Sequence, residues 1–238
     1  MVNASKISTS LMTCGTASGE LLPFYVKYKA GRVWDTWTER GPPGTKYDCS
    51  KSGWFDNLTF QNWFFRIFLP NAKNKLGPKV LICDNLSSHL DRKVLDKCKE
   101  HNIKFVFLPP NTTHLTQPLD VAFFAPMKRC WRSLLGEWKC TTMGQKCTTL
   151  PKSEFPRMLA QLWTKITLNS ANNLMAGFRK CGITPCDADV LLSRLPKKDR
   201  VNLQSIGTGF INFVEKRHQD VVTCITPRRR KATNIVAG

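Results

Sequence analysis

Hydrophobic and polar positions alternate differently in three stretches of the chain. From Ile7 to Cys14, and again from Leu21 to Tyr28, β-branched and aromatic residues mix with polar ones. The turn-forming run Thr16-Ala-Ser-Gly-Glu20 separates them, which predicts a β-hairpin. Residues 30–53 are rich in Gly, Pro, Thr and charge and predict an irregular excursion. Phe60, Trp63, Phe64 and Ile67 then recur at helical spacing, with Asn57 or Thr59 as the cap and Pro70 as the stop.

The middle of the chain is more sharply punctuated. Lys79-Val-Leu-Ile-Cys83 is a short apolar run that ends at Asp84. Leu90, Val94, Leu95 and Cys98 mark an amphipathic helix that stops near Asn102. Ile103 to Leu108 is a second apolar run, closed by Pro109 and Pro110. A strand, a helix and a strand with short connections predict a parallel pair. A polar loop, 111–118, leads to an aromatic helix through Phe123, Phe124, Met127, Trp131, Leu134, Leu135 and Trp138. Pro126 should kink or restart that helix. Residues 140–150 read as a linker. Helices follow from Ser153 to Ile166 and from Ser170 to Phe178. Residues 196–238 are weakly periodic and carry Lys197, Lys198, Arg200 and the cluster Arg228 to Lys231. The whole is α/β in its first 140 residues and helical afterwards.

Charge changes the picture most. Among 238 residues, 36 Lys and Arg face 17 Asp and Glu, a formal net charge of +19. That excess calls for a polyanionic partner, with nucleic acid ahead of an anionic membrane surface. No apolar stretch approaches the ~18 residues of a membrane span, so no membrane partner is expected. The ten cysteines contain no C-x-x-C pair and nothing at zinc-finger spacing, and no secretory leader is evident, so reduced thiols are expected. Trp131, Trp138 and Trp163 share helical spacing with Leu and Met, which assigns them to the core rather than to base stacking. Lys128, Arg129, Arg132 and Lys139 lie on the aromatic helix as a solvated face that can meet phosphates.

Candidate chemistry lies where strands end. Asp84 closes the first apolar run and Asp120 follows the second, at the start of the aromatic helix. The crossover returns the chain to the same sheet edge, where ligands of open α/β sheets gather. Two carboxylates there suit a hard divalent cation shared with phosphate. Each acid also has a structural reading: Asp84 as a cap or turn residue, Asp120 as a first-turn acid complementing a helix dipole.

Residues 80–139 resemble the DDE endonuclease domain of pogo/Tigger-type transposases, the group that includes centromere protein B and the jerky proteins. The likeness is carried by Val80-Leu-Ile-Cys-Asp-Asn-Leu-Ser-Ser-His89, by Leu108-Pro-Pro-Asn-Thr-Thr-His-Leu-Thr-Gln-Pro-Leu-Asp120, and by Phe124-Ala-Pro-Met-Lys128 with Trp131. Fainter matches, Gly15-Thr-Ala-Ser-Gly-Glu-Leu-Leu-Pro23 and Gly177-Phe-Arg-Lys-Cys-Gly-Ile-Thr-Pro185, extend it over about residues 7–186. The resemblance implies an RNase H-like mixed sheet flanked by helices, with a helical C-terminal part. It implies Mg²⁺- or Mn²⁺-dependent DNA cleavage and strand transfer by three acids. Asp84 matches the second acid and Asp120 the third, both as metal ligands. His89 matches a histidine that follows the second acid, and its role is open.

The first acid of such a domain sits on a strand upstream of the segment matched by Ile7 to Cys14, so the first strand is expected to be missing here. Asp35, Asp48 and Asp56 lie downstream, outside the family's first-acid context. The chain is therefore expected to be a truncated remnant or part of a longer protein. Its domain would be residues 1–186, followed by a basic tail, 187–238. These expectations describe a nuclear, transposase-derived DNA-binding protein, with DNA and a second copy of itself as partners and cleavage impaired. The alternative is a domesticated, non-enzymatic DNA-associated or scaffolding protein. A live nuclease completed by an upstream segment or a partner chain is the third reading.

Overall fold

The computed structural model describes residues 9–84, 91–195 and Lys216. The predicted hairpin is present. Strand β1 (Thr9–Met12) pairs antiparallel with β2 (Tyr25–Lys29), and Thr9 faces Tyr28. The turn closes through Thr16 N–H to Glu20 O and Gly19 N–H to Thr16 O. Gly19 adopts a φ of +91°, which glycine tolerates without strain.

Residues 30–53 are not wholly irregular, which corrects the sequence reading. A 3₁₀ turn (Asp35–Trp37) is followed by β3 (Lys46–Ser50), which adds to β2 in parallel with Lys27 opposite Asp48. The sheet order is β1-β2-β3. Strand β2 sends alternate side chains to two separate cores. Tyr25 joins Phe60, Trp63, Phe64, Ile67, Leu81, Val94 and Ile103. Val26 and Tyr28 join Phe123, Leu134, Trp138, Met158, Leu159 and Leu174.

Lys27 is buried on the Tyr25 face, and it survives there because it is paired. Its ammonium lies 2.8 Å from Asp48 Oδ2, which also accepts from the Tyr25 hydroxyl at 3.1 Å. Asp48 Oδ1 accepts from Cys49 N–H at 2.7 Å. Despite partial burial, these contacts hold the Asp48 carboxyl below its ordinary range. Burial, with the nearby Asp48 charge, pushes the Tyr25 hydroxyl up.

The first helical stretch begins at α1 (Asn57–Trp63). Its cap is Asp56, not Asn57 or Thr59: Asp56 Oδ1 accepts from Thr59 N–H at 2.8 Å. Pro70 does not end the stretch. A π-helical turn (Phe64–Phe68) widens the coil, with Leu69 N–H reaching Phe64 O, and α2 (Leu69–Ala72) carries Pro70 in its first turn. Proline lacks the donor an α-helix interior needs, and the widened turn places it where none is required.

Strands β4 (Lys79–Cys83) and β5 (Ile103–Phe107) are parallel, as predicted, with Leu81 opposite Phe105. Between them α3 (Arg92–Glu100) starts at Asp91, whose carboxylate accepts from Lys93 N–H, and packs Val94 and Cys98 inward. Asn102 turns the chain at a φ of +53°. Among the described residues β1 pairs only with β2, and β4 only with β5, so each keeps one unpaired edge.

After a short helix, α4 (Thr113–Thr116), a second π-helical turn (Leu119–Phe123) leads into α5 (Phe124–Lys139). The helix thus restarts just before Pro126. The 140–150 segment, read as linker, contains α6 (Thr142–Lys146), capped by Thr141. The two helices expected over 153–178 are one, α7 (Phe155–Lys180). It runs unbroken because Ser170 and Gly177 are buried small residues that let other segments approach. A Cβ on Gly19 would meet Ala171 at 3.0 Å. Trp138 is buried, and Trp131 and Trp163 pack against the second core; Phe24 and Trp163 meet edge-on at 4.9 Å. Last comes α8 (Ala188–Leu192). The basic residues Lys197, Lys198, Arg200 and Arg228 to Lys231, and His89, lie outside the described residues. Nine described cysteines, Cys14 through Cys186, are free thiols.

Candidate carboxylate site and nucleic-acid interface

Asp84 is delivered by the β4–β5 ladder. Leu108 N–H donates to Cys83 O at 2.9 Å, so pairing runs to the residue immediately before the acid. Asp84 is half-buried there. Apolar β4 residues hold the strand, and the residue that follows it is the carboxylate.

Asp120 is delivered by a braced loop. Thr112 Oγ1 donates to Pro109 O at 2.7 Å, and Asn111 takes a φ of +61°. Arg194 reaches back from beyond α8 to donate to Leu115 O at 3.1 Å, His114 O at 3.2 Å and Lys180 O at 3.0 Å. Gly177 of α7 sits directly against the loop, where a Cβ would meet Pro118 O at 2.4 Å. Pro118 then caps the π-helical turn whose first residues are Leu119 and Asp120.

The two acids feel each other. Partial desolvation raises the proton affinity of Asp120, the Lys128 ammonium lowers it, and the negative charge of Asp84 raises it again. Two sequence-predicted site residues, 36 positions apart, are thus brought within electrostatic reach. Desolvation leads, Lys128 offsets at least as much as Asp84 adds, and the net rise is what a bound cation would relieve. The donor set is hard oxygen. It suits Mg²⁺ or Mn²⁺ bound through two carboxylates, with phosphate or water completing the shell. Among the described residues no third His, Cys, Asp or Glu joins them.

The other acids have structural work. Asp56 caps α1, and Asp48 neutralises Lys27. Asp35 opens the 3₁₀ turn. His114 is exposed on α4, and its carbonyl, not its imidazole, is engaged by Arg194. Of the basic residues on α5, Lys128, Arg129 and Arg132 are exposed. Lys139 is committed to the α6 turn, donating to Cys147 O at 2.5 Å. Sequence reasoning missed Arg194 and Gly177 as supports. Gly177 carries a signal after the fact, a glycine inside a long helical pattern; Arg194 carries none.

A mixed α/β domain in which a parallel strand pair delivers one acid, and the loop and helix beyond it a second, is the RNase H-like architecture of metal-dependent DNA-processing domains. The chain belongs to the DDE superfamily endonuclease family, whose profile matches residues 5–175. It is 24% identical over 186 residues to the human protein "Pogo transposable element with KRAB domain", covering 75% of this chain and 29% of that protein. It is 29% identical over 96 residues to the human "Tigger transposable element-derived protein 7", covering 36% of this chain and 17% of that protein. A Cochliobolus lunatus protein named "MFS-type transporter clz9" is 28% identical over 182 residues, covering 75% of this chain and 19% of that protein. The chain therefore spans less than a third of these relatives' length. Among the described residues no helix is long and apolar enough to cross a membrane. No solved structure matches the chain.

Proposed function

We propose that this chain is a transposase-derived, DNA-binding protein whose DDE domain descends from one that cuts DNA and transfers strands. The observation that carries the reading is the family match over residues 5–175, within which the β4–β5 ladder ends at Asp84 and a braced loop leads to Asp120. These two side chains would hold Mg²⁺ or Mn²⁺ against a DNA phosphate. The ion, when bound, would supply charge neutralisation at the scissile phosphate. Lys128, Arg129 and Arg132, exposed on the helix that follows Asp120, would orient the backbone through phosphate contacts. Arg194 and Gly177 would keep the Asp120 loop in place.

Two carboxylates alone make a weak two-ion site, so cleavage by these residues is impaired. A third carboxylate, supplied by an upstream segment or a partner chain, would restore it. The unpaired edges of β1 and β4 are where such a segment would add. We assign residues 1–186 to the domain and 187–238 to a basic tail, and place the protein in the nucleus, self-associating on DNA.

The test is binding to a duplex oligonucleotide between about 50 and 200 mM salt, with and without Mn²⁺. Affinity should fall steeply with salt, and Mn²⁺ should tighten binding in the wild type but not in Asp120→Asn. An affinity indifferent to salt would refute the DNA reading. Equal Mn²⁺ enhancement in Asp120→Asn would refute the assignment of the acids. A scaffolding protein would instead bind DNA with no response to Mn²⁺ and no dependence on Asp84.

A further inference from the structure

The tryptophans run from buried to openly exposed. Trp63 and Trp138 are buried, whereas Trp34 is 48% and Trp54 71% exposed. The two exposed indoles leave the same end of the sheet. Lys29 and Ser50, opposite each other in the β2–β3 register, are the last residues of those parallel strands. Trp34 lies five positions beyond Lys29, and Trp54 four beyond Ser50. Carboxyl ends of adjacent parallel strands are where ligands meet open α/β sheets.

Cations surround this end. The Arg32 guanidinium stacks over the Trp34 ring, 3.7 Å from its centroid, and both residues are exposed. Lys29 and Lys51 are exposed at the strand ends. Lys152 donates to Lys29 O at 2.6 Å and sits 4.6 Å over the Trp37 ring, where desolvation lowers its proton affinity. The loops are firmly held. Tyr28 OH donates to Trp37 O at 2.9 Å, Ser10 Oγ donates to Gly53 O at 2.7 Å, and Gly53 packs against Lys29 at a φ of +74°. Two large indoles are thus kept in water on rigid supports beside positive charge. The acids Asp35 and Glu39 also lie in this segment, so charge alone does not define the surface.

We propose that the carboxyl ends of β2 and β3 form a second nucleic-acid contact, where unpaired bases stack on Trp34 and Trp54 and the adjoining phosphates meet Arg32, Lys29 and Lys51. Stacked aromatics flanked by cations are how single strands are held without sequence preference. The class of partner rests on the DNA reading above, while the surface uses none of the residues assigned to the carboxylate site.

The experiment measures the affinity of the full chain for an oligo-dT strand and for a duplex of equal length, across a salt series. Trp34→Ala and Trp54→Ala should each weaken oligo-dT binding by roughly fivefold to a hundredfold with little change on duplex, and the salt slope should stay put. Trp34→Phe should recover most of the loss. Arg32→Gln should reduce the salt slope by about one. Unchanged oligo-dT affinity in the Trp34→Ala/Trp54→Ala double variant would overturn the proposal, as would equal losses on single strand and duplex. Selective binding of a protein partner, with no affinity for oligo-dT, would also overturn it. The Mn²⁺ enhancement of duplex binding should persist in the Trp34→Ala/Trp54→Ala double variant, so failure at this surface is separable from failure at the acids.

Discussion

The two sheets are built to different specifications. In the three-stranded sheet β2 is buried on both faces, and its one buried charged side chain, Lys27, is matched by Asp48. In the two-stranded unit Leu81 is the one buried residue of β4 and Ile103 the one of β5, while Val80 is 56% exposed. The first sheet neutralises its buried charge internally, whereas the second ends in an acid whose charge raises the proton affinity of another, Asp120.

The sharpest way to break the contrast is Asp48→Ala. It strands the Lys27 ammonium in the core and should cost about 3–5 kcal/mol in urea unfolding. If the cost is under ~1 kcal/mol, the sheet is not held as described. Gly177→Ala comes next. An exposed helical Gly→Ala change stabilises by up to ~1 kcal/mol, but here the methyl would strike Pro118 O, so a loss of about 1–3 kcal/mol is expected. Asp120→Ala in the same background tests whether the strain runs through the loop.

Mn²⁺ at about ten times its dissociation constant should then stabilise the wild type by about 1.4 kcal/mol in thermal melts, and Asp84→Asn by much less. The smallest effect is acid dependence. Asp48 titrates below its unfolded value, so its stabilisation is present above that value and disappears as pH falls through the folded one. Asp120 is raised, so its charged form penalises the native state above its folded pKa, and the penalty vanishes below the unfolded one. Asp120→Asn should therefore raise neutral-pH stability by under ~0.5 kcal/mol and steepen the net acid lability. A fall in neutral-pH stability would overturn the net penalty assigned to the charged Asp120 carboxylate.

Legibility followed burial. The β4–α3–β5 unit was readable because continuous apolar runs and Pro109 and Pro110 mark its limits. Strand β3 was not, since Lys46-Tyr-Asp-Cys-Ser50 lacks any apolar run. Its place is fixed by ladder bonds to β2 and by a Lys27–Asp48 pair 21 positions apart. Helix α7 looked like two because Asn169 to Asn173 is small and polar, but that patch is where the hairpin packs. Both acids were readable as candidates from strand ends and from the resemblance, and topology brought them together. The brace around Asp120 was not readable, because Arg194 donates to backbone carbonyls, which any residue type presents.

The π-helical turn at Leu119–Phe123 has a consequence for how the protein tolerates length change. Such a turn is an α-helix with one residue inserted. Deleting a residue between Val121 and Phe123 would let the run relax to ordinary α-helix without touching α5 or any acid. The widened turn already absorbs the extra residue, so Asp120 would keep close to its present bearing relative to α5. A deletion inside regular α5 has no such slack and would turn everything before it by about 100° around the helix axis. The turn is therefore the one place in this run where a single-codon deletion should be structurally silent.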